Sequence, residues 1–284
     1  MQQGNNEETT IVYDTNVALR NVADFKRVMV TNFKGQLEAI LKDPDEAKAF
    51  IANAMSLMQK TPDLIKCTPH TIFNGLMMIA SLRLMPSAIS GEAYLIPYKN
   101  KGVDEAQFQL GYQGLITLFY RAGIDAVDGA LVYEKDHFEL NGTEIVHKIN
   151  PLLSKAERGA RIGAYTKVTY RGQTTYRFMN GKDIEAHAAK FSKSYNSSYS
   201  PWKNDPEGVM WLKTVLKQHA KLLPKNETIF KAIDLDNRDS VISDRVAAAK
   251  ADSESMKMGA HVLPPADAED VQLDPNEDNA VPPN

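Results

Sequence analysis

Between Lys190 and Lys231 the chain sets eight lysines (Lys190, Lys193, Lys203, Lys213, Lys217, Lys221, Lys225, Lys231) against three acids (Asp205, Glu207, Glu227). Phe191, Tyr195, Tyr199, Trp202 and Trp211 lie among them. Ammonium groups neutralise phosphate and aromatic rings stack on bases, so this mixture suits a nucleic-acid strand. Lys213, Lys217 and Lys221 recur every four residues, which on a helix makes one row. Val209, Leu212, Leu216 and Leu223 form the opposing apolar stripe, and Pro224 stops the helix. Taken alone, a lysine row also fits a solvated helix face. Trp202 has two readings, an anchor that docks the polar loop Phe191 to Pro201 on the core and a ring that stacks on a base.

The second set lies between Gly91 and Gly123, GEAYLIPYKNKGVDEAQFQLGYQGLITLFYRAG. Ala93 to Tyr98 and Gln107 to Tyr112 are rich in β-branched and aromatic residues, and Asn100, Lys101, Gly102 and Asp104 between them compose a hairpin loop. Alternation puts Gln107 and Gln109 on one face of the strand and Phe108 and Leu110 on the other. Leu115, Ile116, Leu118, Phe119 and Ala122 then recur at helical spacing, with Arg121 in the last turn and Gly123 as the left-handed cap. This segment offers cations and amides, which can grip a ligand but cannot cut or transfer a bond.

The dense group of metal-ligating types is Glu134, Asp136, His137 and Glu139. Alternation along a strand lets two or three of these meet a metal, and a solvated charged strand end is the other reading. The six histidines are scattered, with no i, i+4 pair on a helix. No catalytic residue, metal or cofactor is expected.

The elements that must position these residues announce themselves at their starts. Asp43-Pro44, Thr61-Pro62, Thr68-Pro69 and Asp205-Pro206 each put a side-chain acceptor before a proline, the pattern of a helix N-terminus. With an earlier apolar period over about Val22 to Leu41, they make the N-terminal third helical. A strand broken at Glu134 to Asp136, then a hairpin from Ile162 to Tyr170 and Thr174 to Met179, fill the middle, and Asp183 to Ala189 reads as a helix. The expected fold is α+β, with a helical N-terminal third, central β-hairpins each followed by a helix, a basic C-terminal helix and a disordered acidic tail. The boundaries are a flexible arm over 1–18, a single DNA-binding and oligomerisation core over 19–245, and the tail over 246–284.

The net charge of −3 hides an asymmetry: from Ala251 on, eight acids face Lys257 alone, while residues 1–250 hold 32 basic and 28 acidic side chains. That tail is either a solubilising extension or a protein-binding or self-competing segment. One cysteine, Cys67, excludes an intrachain disulfide framework and reads as a buried thiol. No apolar run reaches the ~18 residues of a membrane span, and MQQGNNEETT lacks the order of a secretory signal, so the expected location is the cytoplasm, with no membrane partner.

The blocks SLRLMPSAISGEAYLIPY, QFQLGYQGLITLFYRAG, LVYEKDHF, and SPWKND leading to MWLKTVLKQHAKLLP together resemble the RecT family of phage and prophage single-strand annealing proteins, over about Ser81 to Pro224. The resemblance implies an ATP-independent recombinase in a bacterial host cell. Such a protein coats single-stranded DNA as an oligomer, pairs it with a complementary strand and works beside a 5′-to-3′ exonuclease. The acidic tail becomes a candidate contact for a host single-strand-binding protein. Lys217, Gln218 and His219 depart from a family pattern richer in arginine, so bidentate contacts become point-charge contacts.

An annealing protein holds the backbone and leaves Watson–Crick edges free. The candidate nucleic-acid-binding residues are therefore Lys99 and Lys101 in the hairpin loop, Gln107 and Gln109 on its face, and Tyr112, Gln113 and Arg121 after it. Lys190, Lys193, Lys203, Lys213, Lys217 and Lys221 make the far wall, with Trp202 beside them. Pairing long strands requires a row of subunits in head-to-tail contact, a ring or a helical filament. The N-terminal helices and the charges Glu134, Lys135 and Asp136 are the candidate contacts. The rivals are a passive single-stranded DNA-binding protein, which protects bases instead of pairing them, and a metal-dependent nuclease.

Overall fold

The structure, a computed structural model, describes residues 18–238 except Ala88, Thr143, Lys193, Ser194, 197–199 and Lys225. The acidic tail, and the N-terminal arm but for Ala18, lie outside the described residues.

The chain is α+β. It opens with α1 (Val22–Val28), a π-helical turn over Met29–Phe33 and α2 (Lys34–Leu41). Phe25, Met29, Phe33, Leu37 and Leu41 are all buried at a spacing of four. In an α-helix that spacing drifts by about 40° per step, and the wider π turn takes up the drift so that the stripe stays inward. Phe33 and Phe25 stack on Phe73, with ring centroids 4.5 and 5.8 Å away. Asp43 caps α3 (Pro44–Lys60) by accepting the Asp45 and Glu46 N–H groups.

The other two threonine-proline starts behave differently from expectation. Thr61-Pro62 opens a 3-10 turn, Pro62–Lys66, in place of an α-helix, and the Thr61 side chain caps nothing. Thr68 precedes α4 (Pro69–Ser81) but gives both its N–H and its hydroxyl to the Asp104 carbonyl. A tertiary bond thereby replaces the local cap and fixes α4 to the hairpin.

That hairpin pairs β1 (Ala93–Asn100) with β2 (Val103–Leu110) around a two-residue turn. Lys101 and Gly102 both take left-handed φ, +47° and +89°, which tight hairpins favour because it matches strand twist. α5 (Tyr112–Arg121) follows and packs so closely on the Gly91–Glu92 backbone that a Cβ at Gly111 or Gly114 would strike a carbonyl. Gly123 ends the helix at φ +82°.

A three-stranded antiparallel sheet, in the order β3 (Ala126–Tyr133), β6 (Arg161–Tyr170), β7 (Gln173–Asn180), forms the second layer. The broken strand expected near Glu134 is two elements, because the chain turns after β3 and starts the separate hairpin β4 (His137–Asn141) and β5 (Glu144–Lys148). α6 (Gly181–Phe191) follows β7, so hairpin-then-helix occurs twice. α7 (Val209–Ala220) starts later than Asp205-Pro206 suggests. Gly208 turns at φ +69°, and only then do the Val209 and Met210 N–H groups reach the Asp205 carboxylate, at 2.8 and 2.9 Å.

α7 is not a surface helix with one apolar stripe. Sheet and helices surround it, Val209 at its start is exposed, and Lys213, Thr214 and His219 are buried with Val215 and Leu216. His219 is accommodated by two hydroxyls, Thr166 at Nδ1 (2.8 Å) and Thr175 at Nε2 (2.9 Å), so its ring is paired on both sides. The last described element, α8 (Glu227–Arg238), is capped by Asn226 and buries Ile229, Ala232 and Ile233.

Candidate nucleic-acid interface

β2, α6, α7 and α8 surround a cleft of about 330 Å3. Gln109 reaches it because alternation along β2 turns Phe108 and Leu110 into the core. α7 contributes Lys213, Lys217 and Lys221, one turn apart, together with Gln218. α6 contributes His187 and Phe191, the following loop Trp202, and α8 Asp236 and Asn237.

The electrostatics are layered from floor to rim. At the floor Asp236, its side chain 6% exposed, accepts Lys213 Nζ and Lys217 Nζ, both at 3.0 Å, and the Leu110 N–H at 2.7 Å. Burial alone would push its carboxyl up, but the two ammoniums beside it hold it below the ordinary carboxylate range. Lys217 also donates to Asn237 Oδ1. At the rim, exposed Lys221 donates to Gln218 Oε1, and the Gln218 amide lies 3.0 Å from His187 Nε2, which accepts from it. Burial, then the charges of Lys217, Lys221 and Lys190, lower the His187 pKa. Burial comes first in that shift, and the three lysines add to it, which suits the cleft to an anion.

Gln109, Trp202, Lys213, Lys217 and Lys221 of the candidate residues thus share one cleft. Lys213 is nearly enclosed and held by Asp236, so it lies on the floor and not on an open wall. Trp202 packs against the cluster of Leu131, Tyr133, Ile184 and Trp211 and edge-on to Tyr195, as an anchor would, and one side lines the cleft. Gln107, half-buried, shares the Gln109 face of the hairpin, where Tyr94 and Ile96 lie directly across the pair.

Other candidates sit elsewhere. Lys99 pairs in register with Asp104, 4.0 Å away, and by alternation points to the face opposite Gln107 and Gln109. Lys101 is exposed at the hairpin tip. Tyr112 is half-buried against the core, where burial pushes its hydroxyl pKa up, and Gln113 is exposed. Arg121 has a structural partner: Nη1 donates to the Leu82 and Arg83 carbonyls, satisfying the end of α4. Lys190 is exposed over the Phe191 ring, and Lys203 is exposed and donates to the Asn196 carbonyl. Lys193 lies outside the described residues.

Of the polar groups described in the cleft, His187, Asp236 and Asn237 were not singled out in the sequence, and Gln218 was noted only beside the lysine row. Asn226 as a cap and the spacing of Ile229, Ala232, Ile233 and Asp236 carry the helical signal that announces α8. The acidic segment is also resolved. Asp136, its side chain 1% exposed, accepts Arg158 through two bonds (2.8 and 2.6 Å) and His147 at 3.0 Å. Burial opposes its ionisation, but Arg158, then His147 and the Tyr133 N–H hold its pKa well down. Asp136 is therefore an interior ion pair and not a surface charge, whereas Glu134 is exposed and accepts the Ala160 N–H. Among the described residues no three His, Cys, Asp or Glu side chains cluster to hold a metal, and no helix is long and apolar enough to cross a membrane.

The chain is similar to Protein RecT of Escherichia coli (strain K12), 27% identical over 235 residues that cover 80% of this chain and 85% of that protein. It is also similar to the uncharacterized protein YqaK of Bacillus subtilis (strain 168), 33% identical over 174 residues, 60% of this chain and 57% of that one. The model of the RecT family matches residues 48–250, which include every element from α4 to α8 and so the whole cleft. The chain belongs to the RecT family, whose proteins serve single-strand annealing recombination.

Proposed function

We propose that the protein binds single-stranded DNA in this cleft along the sugar-phosphate backbone and, as an oligomer, anneals it to a complementary strand without ATP. The observation that carries the reading is the convergence of Gln109 with Lys217 and Lys221, amide and ammonium donors far apart in sequence. Both donor types suit phosphate oxygens, and contacts to the backbone carry no sequence preference. Exposed Lys190 and Lys203 extend the positive surface beside Phe191 and Trp202. Each lysine that meets a phosphate adds about 0.7 to the steepness of the salt dependence on a single strand.

Annealing requires subunits in a row, as a ring or a helical filament, and the annealed duplex is the second nucleic-acid partner. A 5′-to-3′ exonuclease that exposes the strand, and a host single-strand-binding protein met through the acidic tail, complete the proposed set. No bond is made or broken by the protein. Duplex formation between complementary oligonucleotides, timed without nucleotide triphosphate, tests the reading. Pairing becomes faster with the protein; a slower rate would make it a passive binder, and DNA degradation in magnesium would make it a nuclease.

A further inference from the structure

Asp236 stands where three elements meet. Its Oδ1 accepts the β2 amide of Leu110, and its Oδ2 accepts both α7 ammoniums, Lys213 and Lys217. The side chain is 6% exposed, so these bonds stand in a medium that strengthens each of them. An ionised carboxylate and a phosphodiester make the same demand on a lysine, an anionic oxygen that accepts from Nζ. The cleft read above as a phosphate seat therefore already holds an anion, supplied by the last turn of α8.

We propose that Asp236 is an internal competitor of the DNA backbone: its carboxylate occupies the seat on Lys213 and Lys217 that a strand phosphate takes, and strand entry exchanges one anion for the other. This rests on the strand-binding reading of the cleft. A carboxylate stripped of both lysines is costly to keep buried, so Asp236 swings toward water as the phosphate arrives. Net affinity is held down, and a bound strand can be released by the reverse exchange.

A positioning role, with Asp236 merely aiming the lysines, makes opposite forecasts. Anisotropy of a labelled oligothymidine across a salt series, with the full-length chain, separates them. Asp236→Asn should tighten binding about tenfold at fixed salt with little change in the log–log slope, because the same phosphate meets the same two lysines in either bound state. Lys217→Met should lose more affinity in the Asp236→Asn background than in the wild type. If Asp236→Asn folds normally and binds equally or more weakly, or if Lys217→Met loses less in that background, the competitor is refuted while strand binding stands. Failure of the wild type to bind oligothymidine at any salt overturns both. Should Asp236→Asn not fold, hydrogen exchange of the wild type decides: added oligothymidine speeds exchange in the last turn of α8 if the carboxylate leaves, whereas unchanged or slowed exchange overturns the proposal.

Discussion

Lys217 and Lys221 occupy adjacent turns of one helix yet stand in different electrostatic states. Lys217 is tied to Asp236 and Asn237, while Lys221 is exposed and holds only Gln218 among the bonds described above. Replacing Lys221 by Gln removes a charge without opening a cavity, so single-strand affinity should fall and the salt slope flatten by about 0.7. Lys99→Gln, on the other face of the hairpin, should leave both unchanged, and anisotropy against salt checks the pair. His219 gives a stability test. Burial, then Arg177, lowers its pKa to about 4, while in the unfolded chain it sits near the ordinary 6.5. Its contribution is therefore complete above pH 6.5 and lost as pH falls toward 4, since only the unfolded state takes the proton. The loss is on the order of 3 kcal/mol, read as a falling urea midpoint that His219→Gln largely flattens. Asp136, held down by Arg158, loses its contribution only at lower pH, so the two windows separate. The lysine row and Gln109 could be read from spacing alone. Arg121 could not, because only tertiary contact shows its guanidinium satisfying the carbonyls of α4.

The elements show how one substitution can have opposite effects. Gly114 lies in α5 against the Glu92 backbone, where a Cβ has no room, whereas Gly35 in α2 faces open space. Gly114→Ala should destabilise by about 1–3 kcal/mol through overpacking. Gly35→Ala should stabilise by roughly 0.5–1 kcal/mol by restricting the unfolded chain. Thermal unfolding of the two variants, one Tm falling and the other rising, is the check. The β1–β2 and β6–β7 hairpins, α3 and α6 were legible because alternation, turn glycines and the Asp43 cap are local signals. Other starts departed from the local rule: Thr68 spends its hydroxyl on Asp104 instead of capping α4, and Gly208 delays α7. α8 went unread although Asn226 and its apolar spacing mark it, since the sequence beyond Pro224 blends into the charged tail.

At the scale of the whole molecule the forecast concerns pairing. Complementary oligonucleotides should anneal faster with the wild type, and the doubly substituted Lys217→Gln, Lys221→Gln protein should lose most of that acceleration while keeping its circular dichroism. Stopped-flow quenching of labelled strands measures it. A cleft that gathers lysines beside Gln109 also explains why net charge is a poor guide: the chain as a whole is slightly acidic, yet Lys217, Lys221 and Lys190 add to burial in lowering the His187 pKa. What the sequence determined by itself is the content of local patterns: the helical and hairpin segments, the donors rich in lysine and glutamine, and the family blocks from Ser81 onward. What only tertiary structure decided is the company each donor keeps, because charge state and burial depend on groups far apart in the chain. Asp236 and Lys213 are ordinary charges on the page, and they become a buried pair only when α8 packs on β2 and α5 and brings Asp236 to the lysines of α7.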